Sequence, residues 1–339
     1  MEQDIWNLRK LKEQNMKIRC LVTGSEGFIG SHLVEKLLEK GYQVRAFVLY
    51  NSFSNIGWLS NIKDNNLEIY FGDIKEYQSV LKAMNSVNYV FHLAALISIP
   101  YSYSNPEGYV DTNVIGTFNV LEASRNQNNI ERVIITSTSE VYGSALYTPM
   151  DEKHPMQAQS PYAASKISAD RFAESYYKSY DLPVTIVRPF NTYGPRQSTR
   201  AIIPRIITQL INNPQEVKLG SLYPIRDFNY VADVVDAFVK ISETTNTLGK
   251  EINISTGIGI SIQELIETIS KIMKIDYKLK EDVTRIRPEK SEVDRLIGDS
   301  SVLRDLTGWI SKFDLEAGLK ETILFYMNTK DIADEDYII

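Results

Sequence analysis

Tyr162 and Lys166, in the stretch YAASK, stand four residues apart, so on a helix both side chains project from one face. A free phenol titrates near pH 10. A neighbouring ammonium and the positive ring of an oxidised nicotinamide both favour phenolate, which makes Tyr162 a base for an alcohol whose carbon loses hydride. Upstream, STSEVYG (Ser137 to Gly143) follows the apolar run RVIIT, so Thr138, Ser139 and Glu140 emerge at the carboxyl end of a buried strand. An ionisable carboxyl beside hydroxyl groups at a strand end has the composition of a reactive site. Taken alone, the Tyr–Lys pair also reads as two surface residues on a helix, and Glu140 as a loop residue capping the next turn.

A third motif supplies a partner for this chemistry. TGSEGFIG sets Gly24, Gly27 and Gly30 directly after a strand and at the opening of a helix. Glycines there let the backbone turn tightly and approach a pyrophosphate, whose charge faces the helix amino terminus. Asp73 ends the third strand, where it can accept from an adenine amine or cap the helix that follows. His92 precedes the small Ala94 and Ala95, which leave room for a cofactor. A ribose-binding acid is expected at the end of the second strand, yet Val48 and Leu49 stand there. The choice of NAD over NADP is therefore not written in the usual place; NAD is the expected cofactor, with NADP left open.

The elements that must position these residues alternate. Strand patterns cover KIRCLVTG, YQVRAFVL, LEIYFGD, VNYVFHLAA, RVIIT and PVTIVRP; helical spacing covers IGSHLVEKLLEKG, YQSVLKAM, YVDTNVIGTFNVLEASRNQ and the segment carrying YAASK. This alternation predicts an α/β, Rossmann-type, doubly wound parallel sheet, with ligands beyond the carboxyl ends of the strands. Beyond Pro189 the rhythm breaks into Pro-containing turns, short helices and one more strand-like run, EINIST. The expected division is an extension over 1–16, a dinucleotide-binding domain over 17–190 with segments returning near 226–256, a smaller interleaved substrate lobe over 191–330, and an acidic tail over 331–339.

Composition narrows the function further. The chain has 339 residues, 43% hydrophobic and 24% charged, with a net charge of −6, which suits neither nucleic acid nor an anionic membrane. No apolar run approaches the roughly twenty residues needed to span a bilayer. The single Cys20 excludes an intrachain disulfide, reads as core and fits a reducing cytoplasm. Three histidines and one distant cysteine give no metal-ligand spacing.

In this order, TGSEGFIG, HLAA, STSEVYG and YAASK, followed by RPFNTYGP, resemble the extended short-chain dehydrogenase/reductase superfamily from about Lys17 to Met327. The resemblance implies cofactor contacts at Gly24, Gly27, Phe28, Ile29, Gly30, Asp73, Ile74, Leu93, Ala94 and Ala95, as well as at Tyr162 and Lys166. It gives Thr138 the ordering of a sugar 4-oxygen, and Tyr162 and Lys166 the oxidation of C4. Asn191, Arg226 and Arg287 match positions that grip the substrate diphosphate, a task suited to bidentate guanidinium groups; ion pairing with local carboxylates is the other reading. Sugar 4,6-dehydratases of this superfamily carry a Glu after the Thr, which removes the C5 proton once C4 is a ketone. Some set an Asp between the two as a separate acid. Ser139 occupies that position here, so one carboxylate, Glu140, is expected to act as both base and acid, as in the GDP-mannose dehydratase type.

VRAFVLYNSF, AALISIPYSY and RPEKSEVDRL are similar to the dehydratases of legionaminic-acid biosynthesis, which implies a UDP- or GDP-linked N-acetylglucosamine as substrate. The rivals are a UDP-glucuronate decarboxylase, against which the neutral SPYAASK argues, a 4-epimerase, and a non-catalytic dinucleotide sensor. The family also implies a homodimer through the helix near 113–124 and the helix bearing Tyr162.

Overall fold

In the computed structural model, residues 18–329 are described apart from Ile286, together with only the backbone of Thr284. The expected extension and tail lie outside the described residues. The strands are β1 (Arg19–Thr23), β2 (Gln43–Leu49), β3 (Leu67–Gly72), β4 (Tyr89–His92), β5 (Arg132–Thr136), β6 (Val184–Pro189), β7 (Asn191–Tyr193), β8 (Val217–Leu219), β9 (Ile225–Tyr230), β10 (Glu251–Ile254), β11 (Gly259–Ser261), β12 (Leu279–Glu281) and β13 (Arg295–Leu296).

Seven of them form one sheet in the order β10-β6-β5-β4-β1-β2-β3, and every pairing is parallel. Residues of β1, β4 and β6 are buried on both faces, as a sheet covered by helices on each side requires. One apolar layer gathers Val22, Leu33, Val34, Leu37 and Ile134; the other gathers Leu21, Val80, Val90, Val120 and Val133. Cys20 is a buried, free thiol in the first layer. The chain turns back on itself between β1 and β4, so the strand ends on either side of that point open a crevice.

Local sequence sets the elements that border it. The helix Phe28–Glu39 begins at the glycine turn and is followed by Gly41 at φ +85, a left-handed stop suited to glycine. The helix Pro161–Tyr180 is capped by the Ser160 hydroxyl, which accepts from Ala163 N at 3.0 Å, and has Pro161 in its first turn.

Two expectations need correction. The segment YVDTNVIGTFNVLEASRNQ is not one regular helix: a π-helical stretch, Val110–Ile115, precedes the α-helix Gly116–Arg125. Asp73 does not cap the next helix; Glu76 holds that position without a side-chain cap, and Asp73 accepts from Lys75 N at 2.9 Å.

A second, smaller sheet is built on β9, which pairs with β7 and β13 in parallel and with β11 antiparallel; β8 and β12 form a separate pair. These strands are two to six residues long, too short for a periodic signal, except that EINI was legible and joins the large sheet as β10.

Candidate active site

Thr138 follows β5 and caps a short 3₁₀ turn, Ser139–Tyr142, with its hydroxyl accepting from Glu140 N at 3.2 Å. That turn bends the chain across the crevice and sets Glu140 beside Tyr162, near enough for its charge to disfavour the phenolate. Ser139 is buried in the same turn.

Tyr162 and Lys166 are both buried on the inner face of their helix. Burial pushes the Tyr162 phenol well above its ordinary value, and its hydrogen bond with Thr138 opposes that rise. Burial also pulls Lys166 down to about 8, which Asp170 partly offsets. The Lys166 ammonium donates to Thr136 O at 2.6 Å, so it is anchored to the end of β5. The Thr138 hydroxyl, through its hydrogen bond, is a group that favours the phenolate. The Tyr162 ring packs edge-on against Tyr109, with centroids 6.1 Å apart.

Three supporting groups escaped the sequence reading. Asn113, in the π-helical stretch, donates to Leu96 O at 3.0 Å and Ser165 Oγ at 2.9 Å, and accepts from Leu96 N at 2.9 Å. It ties the loop after β4 to the helix of Tyr162. Such an irregular turn often marks a functional site, but nothing in helical spacing announces one. The second group is Asp170, one turn below Lys166. It is fully buried, as is Arg188, whose Nη2 lies 3.0 Å away. Arg188 also reaches Glu251 at 2.9 Å and Tyr142 Oη at 3.0 Å. An arginine inside the apolar run TIVRP was the available signal for this pair. The third is Glu292, treated below.

His92 is buried and interior. Thr117 Oγ1 donates to Asn113 O at 2.6 Å, so it accepts from His92 Nε2–H at 3.1 Å; Nδ1 then accepts from the Thr23 hydroxyl at 2.8 Å. Burial and the nearby Lys166 push this imidazole down to about 3, and it stays neutral. Its place is structural: Thr23 Oγ1 also accepts from Leu93 N and Ala94 N at 3.2 and 3.1 Å.

The residues present fit a dinucleotide. Gly24 has φ +66, and a Cβ there would lie 2.8 Å from Ala94 N; a Cβ on Gly30 would lie 2.1 Å from Gly24 O. Strand, turn and helix therefore pack more closely than side chains allow. Gly27 caps the helix Phe28–Glu39 without a side-chain acceptor, which leaves the first N–H groups of Phe28 and Ile29 facing the crevice for a pyrophosphate. Ile74 is buried after β3 and Asp73 partly exposed beside it, while Ala95 continues the loop after Ala94.

At the other end, Arg287 Nη1 lies 3.8 Å from Glu140 Oε2 and 3.9 Å from Glu292 Oε1, and Arg226 Nη2 lies 3.6 Å from Glu292 Oε1. Both arginines pair with local carboxyls, at separations too long for hydrogen bonds. Arg287 Nη1 and the nearby strand residue Asn191, through Oδ1, are buried without a hydrogen-bond partner. Arg287 Nη1, a donor left unspent, is available to a phosphate, whereas Asn191 Oδ1 is an acceptor left without a donor. Glu292 was not foreseen. Instead of one isolated acid, two carboxyls share Arg287. Both carboxyls act on the two arginines, and Glu140 also acts on Tyr162. A cavity of about 730 Å³, lined by Leu219, Leu222, Tyr223, Leu279, Arg287 and Glu292, continues from this cluster.

Among the described residues, no helix is long and apolar enough to cross a membrane. Over residues 21–322 the chain matches the family described as GDP-mannose 4,6 dehydratase. It is 32% identical over 319 residues to the dTDP-D-glucose 4,6-dehydratase of Mus musculus, covering 91% of this chain and 88% of the relative. It is 31% identical over 317 residues to the UDP-glucose 4-epimerase of Mycolicibacterium smegmatis, covering 92% and 99%. Among solved structures, DesIV, a dTDP-glucose 4,6-dehydratase from Streptomyces venezuelae with NAD and TYD bound, superposes with a TM-score of 0.82 at 27% identity, over 91% of this chain and 97% of that one.

Proposed function

The chain belongs to the extended short-chain dehydrogenase/reductases, in the NAD-dependent nucleotide-sugar epimerase/dehydratase family, and from that premise we propose that it is a nucleotide-sugar 4,6-dehydratase. The observation that carries this reading is Glu140. Its side chain is only 12% exposed and turns inward, toward Tyr162 on one side and the arginines on the other. An epimerase returns hydride to C4 and has no use for a carboxyl over C5.

The glycine turn from Gly24 to Gly30 would hold NAD, which would supply the hydride acceptor for C4 and the hydride donor for C6. Tyr162 takes the proton of the C4 hydroxyl, with the Thr138 hydroxyl holding the same oxygen. Lys166, fixed to the end of β5, places a buried ammonium on the same face as Tyr162. With C4 a ketone, the C5 proton is acidic enough for Glu140 to remove. Glu140 then gives that proton to the departing C6 hydroxyl, which leaves as water. After hydride reaches C6, the resulting enolate takes a proton at C5, matching the one Tyr162 removed from the C4 hydroxyl, so both groups are restored at the end of each turnover. Arg226, Arg287 and Asn191 hold the diphosphate, and the 730 Å³ cavity beyond them is of a size for a nucleoside. Similarity to legionaminic-acid dehydratases supports N-acetylglucosamine as the sugar, linked to UDP or GDP.

Product mass separates the rivals: loss of water for a dehydratase, loss of carbon dioxide for a decarboxylase, no change for an epimerase. For Glu140→Gln, C4 oxidation should persist while water elimination drops by about 10²-fold or more. Reduced cofactor, seen by its absorbance, should then accumulate on the protein. Unimpaired formation of the 4-keto-6-deoxy product by this variant would falsify the role of Glu140.

A further inference from the structure

The second strand ends without the acid that would hold the adenosine ribose, yet a carboxyl reaches that place from elsewhere. Glu26, within the glycine turn, accepts from the N–H of Leu49, the last residue of β2, at 3.0 Å through Oε1. Its other oxygen, Oε2, is buried and has no hydrogen-bond partner. The turn is braced there: Trp58 N donates to Glu26 O at 3.3 Å, and Ser25 Oγ donates to Phe47 O at 3.2 Å.

We infer that Glu26 is the residue that selects NAD over NADP, by accepting hydrogen bonds from the ribose diol at the tip of β2. This assignment rests on NAD as the cofactor and is independent of the dehydratase reading. Two observations support it. A buried carboxylate oxygen without a donor costs free energy that a ribose hydroxyl would recover. The segment that follows β2 also brings no basic residue for a 2′-phosphate. The sequence has no Lys or Arg between Arg45 and Lys63. Arg45 itself is turned inward, donating to Ala83 O at 2.7 Å, to Asn85 O at 2.9 Å and to Glu68 at 3.0 Å. A phosphate at this point would face the Glu26 charge, with no Lys or Arg in residues 46–62 to offset it.

The test is calorimetric titration of the purified full-length protein, freed of bound dinucleotide, with NAD⁺ and NADP⁺. Glu26→Gln keeps an acceptor for Leu49 N and removes the charge. It should weaken NAD⁺ about tenfold or more and leave NADP⁺ unchanged or tighter, so the ratio of the two affinities narrows. NAD⁺ lacking the adenosine 2′-hydroxyl should bind more weakly than NAD⁺ to the wild type and almost equally to the variant. A purely structural glutamate predicts a parallel loss for both dinucleotides. A parallel loss, or no change in the ratio, overturns the inference, and circular dichroism of the variant shows whether the turn and fold persist.

Discussion

Lys166 shows how a single residue can carry an electrostatic cost that serves chemistry. Its ammonium is buried and pulled down to about 8, from 10.5 in an exposed chain. Between those values the unfolded chain keeps a proton that the folded chain has released. Unfolding therefore takes up a proton, and stability gained from this group rises with pH across the window. Comparing wild type with Lys166→Met in urea at pH 8 and pH 9.5, the wild type should gain relative to the variant by up to about 1.4 kcal/mol per pH unit. A difference that is flat with pH would show that the ammonium is not held in a low-dielectric site. His92 acts in the opposite range: with its ring pushed down to about 3, stability it contributes is lost as pH falls below the unfolded value of 6.5.

At the scale of elements, the reactive groups are precise because two secondary structures are locked together beneath them. The helix Pro161–Tyr180 is fixed at its first turn by Ser160 and at its middle by the buried Asp170–Arg188 pair, which clamps it to β6. Removing one partner of such a pair leaves an unbalanced buried charge. Asp170→Asn should cost about 3 kcal/mol, read as a shift in the urea midpoint at unchanged slope. A loss under about 1 kcal/mol would mean that Glu251 alone balances Arg188, since it already lies 2.9 Å from it.

For the whole molecule, neighbouring strands of the large sheet end at Thr23, His92 and Thr136, so Gly24, the loop after β4 and Thr138 follow along one edge, and Arg226 on β9 acts on Glu140 there. The outer faces of the helices Gly116–Arg125 and Pro161–Tyr180 carry exposed aromatics: Phe118 is 36% and Phe172 41% exposed, with rings 6.1 Å apart. We propose that this face is where two copies meet. Sedimentation should report a dimer for the wild type and a monomer for the double variant Phe118→Asp, Phe172→Asp, because two charges per copy would be buried at the contact. A monomeric wild type would sink that proposal.

How far the sequence reaches depends on the range of the interaction concerned. The glycine turn, the alternation of strands and helices, and the Thr138–Glu140 and Tyr162–Lys166 patterns are local; each is set by neighbours within a few residues, so each was legible in order along the chain. The π-helical stretch that aims Asn113 was not, because its distortion answers to Leu96 and Ser165, which lie 17 and 52 residues away. The same holds for Glu292, which joins Arg226 only because β13 pairs with β9. Glu26 was visible as a letter in a familiar motif, but its proximity to Leu49 required β1 and β2 to lie side by side. Sequence thus determined which chemical groups exist and which local turns present them. Tertiary structure decided which carboxyls stand alone, which share an arginine and which wait for a ligand, because charge and burial act through space, not along the chain.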